Sequence, residues 1–173
     1  MTSAEVPCLI RDAEERDLPA ITAIYNQAVR AGGSTADLHE RTVEQRRAWV
    51  DSHVPRTRYP VVVAENDQGQ VIAFASLSRY HPREGYDGVD ELSYYVDRRF
   101  RRRGCGAQLV SWLIEAAHQR GSRLLVTLIF ASNAGSVGLM RRFGFRRFGL
   151  LPDACFDGKR MLDMSYWYRD VRV

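Results

Sequence analysis

Short apolar or β-branched runs occur at seven places along the chain, and apolar residues recur at helical spacing at four. Cys8 to Arg11 reads as a first strand. From Asp17, a good N-cap, with Pro19 tolerated in the first turn, a stripe of Leu18, Ile21, Ile24, Tyr25, Ala28 and Val29 predicts a helix to about residue 30. Gly32-Gly33-Ser34-Thr35 marks a loop, and Val43 to Ser52 reads as a second helix burying Trp49 and Val50. Pro60 to Ala64 and Val71 to Leu77 flank the turn residues Asn66-Asp67-Gln68-Gly69, which predicts a hairpin. Residues 79–90 are a polar loop, Glu91 to Val96 a strand, and Leu109, Val110, Leu113, Ile114 and Ala117 a helix closed by Gly121. Leu124 to Phe130 is a strongly apolar strand, Asn133 to Phe143 a short helix, and 145–151 and 161–168 two final strands. The order β-α-α-β-β-β-α-β-α-β-β predicts a mixed α/β fold in one domain spanning residues 1–173, without repeats or linkers.

Charge alters this picture at one place. Five arginines (Arg98, Arg99, Arg101, Arg102, Arg103) fall within six positions, between the strand ending at Val96 and the helix opening at Gly104-Cys105-Gly106-Ala107. Cations at a helix start oppose its dipole, so their concentration there needs a reason. Free N–H groups and positive charge converging on a glycine-containing turn suit a phosphate-bearing ligand. The chain is modestly basic, with net charge +4 and Lys159 as its one lysine, so the charge reads as a local site rather than a nucleic-acid coat. A solvated face or a nucleic-acid patch is the alternative, and neither needs the glycines. No run of eighteen apolar residues predicts a membrane span, and the first residues lack signal-peptide regions. Cys8, Cys105 and Cys155 lack metal spacing and fit reduced thiols in a cytoplasm. His39, His53, His81 and His118 show no metal spacing either, and no nucleophile-elbow pattern is present, so no metal site is expected.

Arg101-x-x-Gly104-x-Gly106, followed by Asn133-x-x-Ser136 and Phe143-Gly144-Phe145, resembles the acetyl-coenzyme A signature of the GCN5-related N-acetyltransferases (GNAT). The opening Ile10-Arg11-Asp12-Ala13 with Asp17 and Ile24-Tyr25-Asn26 is similar to the phosphinothricin/methionine sulfoximine acetyltransferase branch. So are Tyr86-Asp87 with Glu91-x-Ser93-x-Tyr95-Val96, and Asp163 to Trp167. The resemblance covers nearly the whole chain. It implies a central sheet whose fourth and fifth strands splay apart to admit acetyl-CoA as co-substrate. Backbone groups of Tyr94, Tyr95 and Val96 would bind the pantetheine arm, one N–H polarising the thioester oxygen. Arg101, Arg102, Arg103, Gly104, Cys105, Gly106 and Ala107 would hold the pyrophosphate, the glycines allowing close backbone approach. Asn133 would contact the cofactor arm, with Ser136 capping the next helix.

Glu91 matches the branch's catalytic carboxylate. An acceptor amine of the α-amino type titrates near about 8 and one of the lysine type near about 10, so a base is needed at neutral pH. An exposed strand glutamate or an ion-pair partner is the plainer reading. Leu38, Tyr80, His81 and Tyr86 occupy the branch's acceptor-binding positions. Tyr80-His81 replaces a tryptophan followed by a fixed cation, and Leu38 an aromatic residue. Met140 stands where the family has tyrosine or this branch histidine, and it cannot donate a proton. A helix N-terminus and nearby arginines would acidify the Cys105 thiol, but its place in the cofactor turn assigns the work to its backbone. The resemblance implies direct transfer to the primary amine of a small, amino-acid-like substrate by a homodimer using its late strands. A peptide or protein amine as acceptor, or a non-catalytic acetyl-CoA sensor, are the other readings.

Overall fold

A computed structural model describes residues 7–172. One seven-stranded sheet organises them. Its strands are β1 (Leu9–Asp12), β2 (Val61–Glu65), β3 (Val71–Arg79), β4 (Val89–Val96), β5 (Leu124–Phe130), β6 (Arg146–Phe156) and β7 (Met161–Asp170). The helices are α1 (Leu18–Ala31), α2 (Val43–Asp51), α3 (Cys105–Gln119) and α4 (Ala134–Arg142). Spatial order is β1-β2-β3-β4-β5-β7-β6, so β4 lies at the middle. All neighbours are antiparallel except β4 and β5, which α3 connects as a parallel crossover.

The predicted element order holds throughout. β6 and β7 run further than the apolar pattern indicates, to Phe156 and Asp170: β6 continues on the exposed sheet edge against the start of β7, and the end of β7 pairs with β5 through Leu124↔Asp170. Asp17 does stand at the N-cap of α1, but its carboxylate does not cap it. It accepts both Arg11 Nη groups, at 2.7 and 2.9 Å, and the Glu14 N–H instead. A bidentate guanidinium partner outcompetes the helix end for that buried carboxylate.

The period-2 pattern divides β4 between two cores. Leu92 faces α3 with Ile72, Leu77, Leu109 and Leu113, all essentially buried, and Tyr94 and Val96 border that cluster. On the other face Tyr95 packs with Phe74 and Val63 against Ile21, Ile24 and Tyr25 of α1. The strand is thereby clamped from both sides, and its register cannot slip without inverting both faces.

Asp97 fixes the exit from β4. Its N–H donates to the Ile72 carbonyl, and its carboxylate accepts Arg99 N–H at 2.9 Å, Arg99 Nη2 at 2.8 Å and Gln27 Nε2 at 3.2 Å. Gln27 Oε1 in turn accepts the Arg98 N–H. These donors hold the Asp97 carboxyl down at about 2. The contribution is complete above the unfolded value near 3.8 and is lost as pH falls toward 2. Because Arg99 is largely exposed, we expect Asp97→Asn to cost about 1–2 kcal/mol, less than the shift alone implies. Urea melts should show that deficit at pH 6 and a clearly smaller one at pH 2.5, still above the folded pKa. An equal deficit at both would assign it to packing.

Candidate active site

The site begins where the sheet opens. β4 pairs with β5 at only three positions, Val89↔Leu124, Asp90↔Leu125 and Glu91↔Val126. On its other edge it pairs with β3 from Asp90 to Val96. The Val89 carbonyl and the Asp97 N–H both bond toward β3. Alternation therefore directs the backbone groups of Glu91, Ser93 and Tyr95 to β3, and those of Leu92, Tyr94 and Val96 to the β5 side. Past Val126 that side has no strand, which leaves the Tyr94 and Val96 backbone edges open. One outside contact is present, Arg101 Nε on the Val96 carbonyl at 3.2 Å.

The basic turn meets this open edge. Gly104, with φ 83°, is the N-cap of α3, a left-handed conformation that glycine adopts freely. The N–H groups of Gly104, Cys105, Gly106 and Ala107 donate to no described residue, as the first turn of a helix requires. A Cβ on Gly106 would stand 3.6–3.8 Å from Leu139, Tyr94 and Val96, so the glycine keeps a narrow passage between β4, α3 and α4 clear. Arg101, Arg102 and Arg103 are exposed, and none forms an ion pair among the described residues. Free donors, free cations and an open strand edge fit a ligand with a pyrophosphate and an extended amide-bearing arm.

Three sequence expectations change here. Tyr95 does not offer its backbone to the opening, because β3 takes it; its ring stacks on Phe74 at 5.2 Å on the opposite face. Asn133, not Ser136, caps α4: Asn133 Oδ1 accepts the Ser136 N–H at 3.2 Å. The Ser136 hydroxyl instead meets Tyr94 Oη at 2.9 Å, tying α4 to β4 across the passage. Cys105 is buried, and burial, with the neighbouring Cys8 thiol, pushes its thiol up rather than down, opposite to what a nucleophilic cysteine needs. Met140 is fully buried in the core and serves packing.

Glu91, Ser93 and Tyr95 share the face that looks toward α1 and α2. Ser93 Oγ bonds Ser76 Oγ at 3.0 Å. The Glu91 side chain is part-buried and makes no hydrogen bond or ion pair with any described residue. Desolvation alone raises its pKa from the ordinary carboxylate value. A carboxylate with no competing donor and a raised pKa is equipped to take a proton from an amine. Beyond it lies a cavity of about 330 Å³ lined by Tyr25, Asp37, Arg41, Gln45, Arg46, Trp49, Ser93 and Tyr95. Of the expected acceptor-binding residues, Tyr80, His81 and Tyr86 cluster together, with His81 and Tyr86 ring centroids 4.5 Å apart and Tyr80 and Tyr86 6.0 Å apart. They do not line this cavity, and neither does Leu38, which is exposed on the loop next to Asp37. The sequence reading missed Arg46 on α2 and Asp37 and Arg41 on the loop before it; a polar residue on either looks the same whether it faces solvent or a cavity.

The sequence model of the acetyltransferase (GNAT) family matches residues 18–145. An L-methionine sulfoximine/L-methionine sulfone acetyltransferase of Pseudomonas aeruginosa is 42% identical over 91% of this chain and 91% of its own. A phosphinothricin N-acetyltransferase of Streptomyces viridochromogenes is 30% identical over 100% and 93%. Among solved structures, a phosphinothricin acetyltransferase (Pat) of Sinorhizobium meliloti in complex with AcCoA superposes with a TM-score of 0.88 at 30% identity, covering 98% of this chain and 89% of its own.

Burial of an unpartnered carboxylate has a measurable cost. Because the folded pKa of Glu91 lies above its unfolded value, the ionised form is disfavoured in the fold. The penalty is full above the folded pKa and vanishes below the unfolded one. Glu91→Gln should therefore melt a few degrees higher than the parent at pH 8 and no higher at pH 4. Differential scanning calorimetry at both values checks this, and an unchanged melting point at pH 8 would mean Glu91 is solvated.

Proposed function

The chain belongs to the acetyltransferase (GNAT) family, in its phosphinothricin/methionine sulfoximine acetyltransferase-like branch, and on that premise we propose that it acetylates the primary amine of a free amino acid or a close analogue. Acetyl-CoA is the co-substrate, and when bound it supplies the thioester whose acetyl group is transferred. The observation that carries the acceptor reading is Glu91, a part-buried carboxylate without partner beside a cavity of amino-acid size.

The chain's own groups divide the work. The α3 N-terminus with Arg101, Arg102 and Arg103 supplies N–H donors and positive charge for a pyrophosphate. Tyr94 and Val96 offer backbone hydrogen bonds along the open edge, where an N–H can stabilise negative charge on a carbonyl oxygen. Asn133 and the Tyr94–Ser136 pair border the passage between them. Glu91, directly or through water, removes the proton that an α-amine carries at neutral pH. Tyr80, His81 and Tyr86 form an aromatic wall at the end of β3. With Met140 buried, no donor at that position protonates the departing thiolate. A thiol of pKa near about 8.5 leaves adequately without one.

No helix among the described residues is long and apolar enough to cross a membrane. Cys8, Cys105 and Cys155 are in no disulfide among the described residues, in keeping with a cytoplasmic location. Homodimerisation suits the far edge of the sheet. Phe148, Leu150, Leu151 and Phe156 on β6 and Met161 on β7 are all exposed, and apolar exposure of that kind on an edge strand marks an interaction surface.

Coenzyme A release measured with L-methionine sulfoximine, L-methionine sulfone, phosphinothricin, the common amino acids and short peptides tests the acceptor class. Turnover of one or more free amino acids is expected. Turnover confined to peptides would overturn the small-substrate reading, and acetyl-CoA binding without any turnover would make the chain a sensor. Glu91→Gln should lower kcat about 10²–10⁴-fold with the acetyl-CoA Kd unchanged by calorimetry; retained kcat would remove Glu91 as the base.

Light scattering should give twice the 19.8 kDa of the chain. Phe148→Asp should shift the mass toward the monomer, while a monomeric parent would leave the exposed edge without this partner.

A further inference from the structure

The cavity beside Glu91 holds a charge that the chain does not balance. Arg46 is 5% exposed. Its guanidinium carbon lies 3.8 Å from the ring centroid of Tyr25 and 4.7 Å from that of Trp49. Nε is buried without a hydrogen-bond partner. None of the ion pairs among the described residues includes Arg46. Asp37, the carboxylate that lines the same cavity, is already engaged: Tyr25 Oη donates to it at 2.6 Å, and Arg41 Nε and Nη2 donate at 2.9 and 2.6 Å. Asp37 and the Tyr25 hydroxyl offset only part of the cost of taking this guanidinium out of water, and burial accordingly lowers its pKa from the usual arginine value. An external anion relieves that cost.

The geometry selects the kind of anion. Stacking on Tyr25 covers a face of the planar guanidinium and fixes its plane, leaving in-plane N–H donors at its edge. That edge pattern matches the two oxygens of a carboxylate or an isosteric oxyanion. Around it the aromatic rings of Tyr25, Trp49 and Tyr95 supply apolar walls, and Ser93 and Gln45 supply polar points. Ser93 and Tyr95 stand two and four residues beyond Glu91 on the same face of β4, so the cavity opens next to the proposed base.

We propose that Arg46 is the specificity-determining residue of the acceptor site and receives the free carboxylate of the amino acid whose amine is acetylated. The assignment rests on the acetyltransfer reading above. It separates a free amino acid, which presents an amine and a carboxylate together, from an amide, a simple amine or the N-terminus of a peptide, which lack the anion. Arg46 acts on binding and orientation, and it takes no proton.

The test measures kcat/KM for L-methionine sulfone and for L-methionine, each beside its carboxamide, with the parent protein, Arg46→Gln and Arg46→Lys. The parent should prefer the acid at least tenfold. Arg46→Gln should bring the acid-to-amide ratio close to one, mainly through KM for the acid. Arg46→Lys keeps the charge but loses the planar fork, and its ratio should fall at least threefold. A parent ratio near one, or a parent-like ratio in the variants, overturns the proposal; should Arg46→Gln fail to fold, the lysine variant and the parent ratio decide. Turnover of amines without acid preference would overturn this inference alone. Absence of turnover on every acid and amide would remove the acetyltransfer reading and this one with it.

Discussion

Everything at the site depends on β4 losing one neighbour while keeping the other. Three residue pairs with β5 are enough to start a parallel ladder, and after Val126 the two strands part. An interior strand with unpaired backbone is ordinarily a liability, because buried N–H and C=O groups without partners are costly. Here β3 holds β4 through Val96, and the two cores grip alternate side chains, so the open edge persists without unravelling. The opening is thus a property of the sheet, held rigidly by packing remote from it, and the groups exposed there are preorganised for an extended ligand that completes the ladder.

Three charged residues close to this opening show how differently burial is handled in one fold. Asp97 is surrounded by donors, is held strongly ionised, and serves the backbone. Glu91, six residues earlier on β4, has no donor among the described residues and is pushed toward its neutral form. Arg46 is buried on aromatic rings, outside the ion pairs of the described residues and with its Nε unpartnered. The first arrangement stabilises the protein. The other two cost stability, and both of the costly ones border the same region. Stability given up at both positions is what a site for a ligand carrying both an amine and an anion requires.

Much of this was legible in the residues, and the boundary of legibility has physical causes. Element order followed from periodicity because the helices and strands each bury one continuous face. The turn from Arg101 to Ala107 was legible because its glycines and arginines are unusual at a helix start. Tyr95 was misassigned because sequence adjacency hides the alternation of backbone direction along a strand; neighbours at 94, 95 and 96 do not share an edge. Asn133 and Ser136 exchanged roles because either residue type can cap, and only the position of Tyr94 decides which hydroxyl is drawn away. Cys105 looked acidic from its neighbours in sequence, yet its neighbours in space are apolar. Arg46 was invisible for a related reason, since the rings that bury it come from α1 and from the next turn of α2.

The fate of Met140 bears on the chemistry more than its loss of function suggests. A proton donor at that position would have to face the passage, whereas Met140 is fully buried and packs in the main core beside Phe145 and Trp167. Substituting a donor there would bury a polar group without a partner, a cost of roughly 1–3 kcal/mol, without placing it at the thiolate. The nearest hydroxyl pair on the passage is Tyr94 with Ser136, already bonded to each other, and burial keeps the Tyr94 phenol protonated. The fold therefore concentrates its proton chemistry on the amine side, at Glu91, and leaves the sulfur side to the intrinsic stability of the thiolate. Such a division makes removal of the amine proton the step on which the protein's own residues have the most influence.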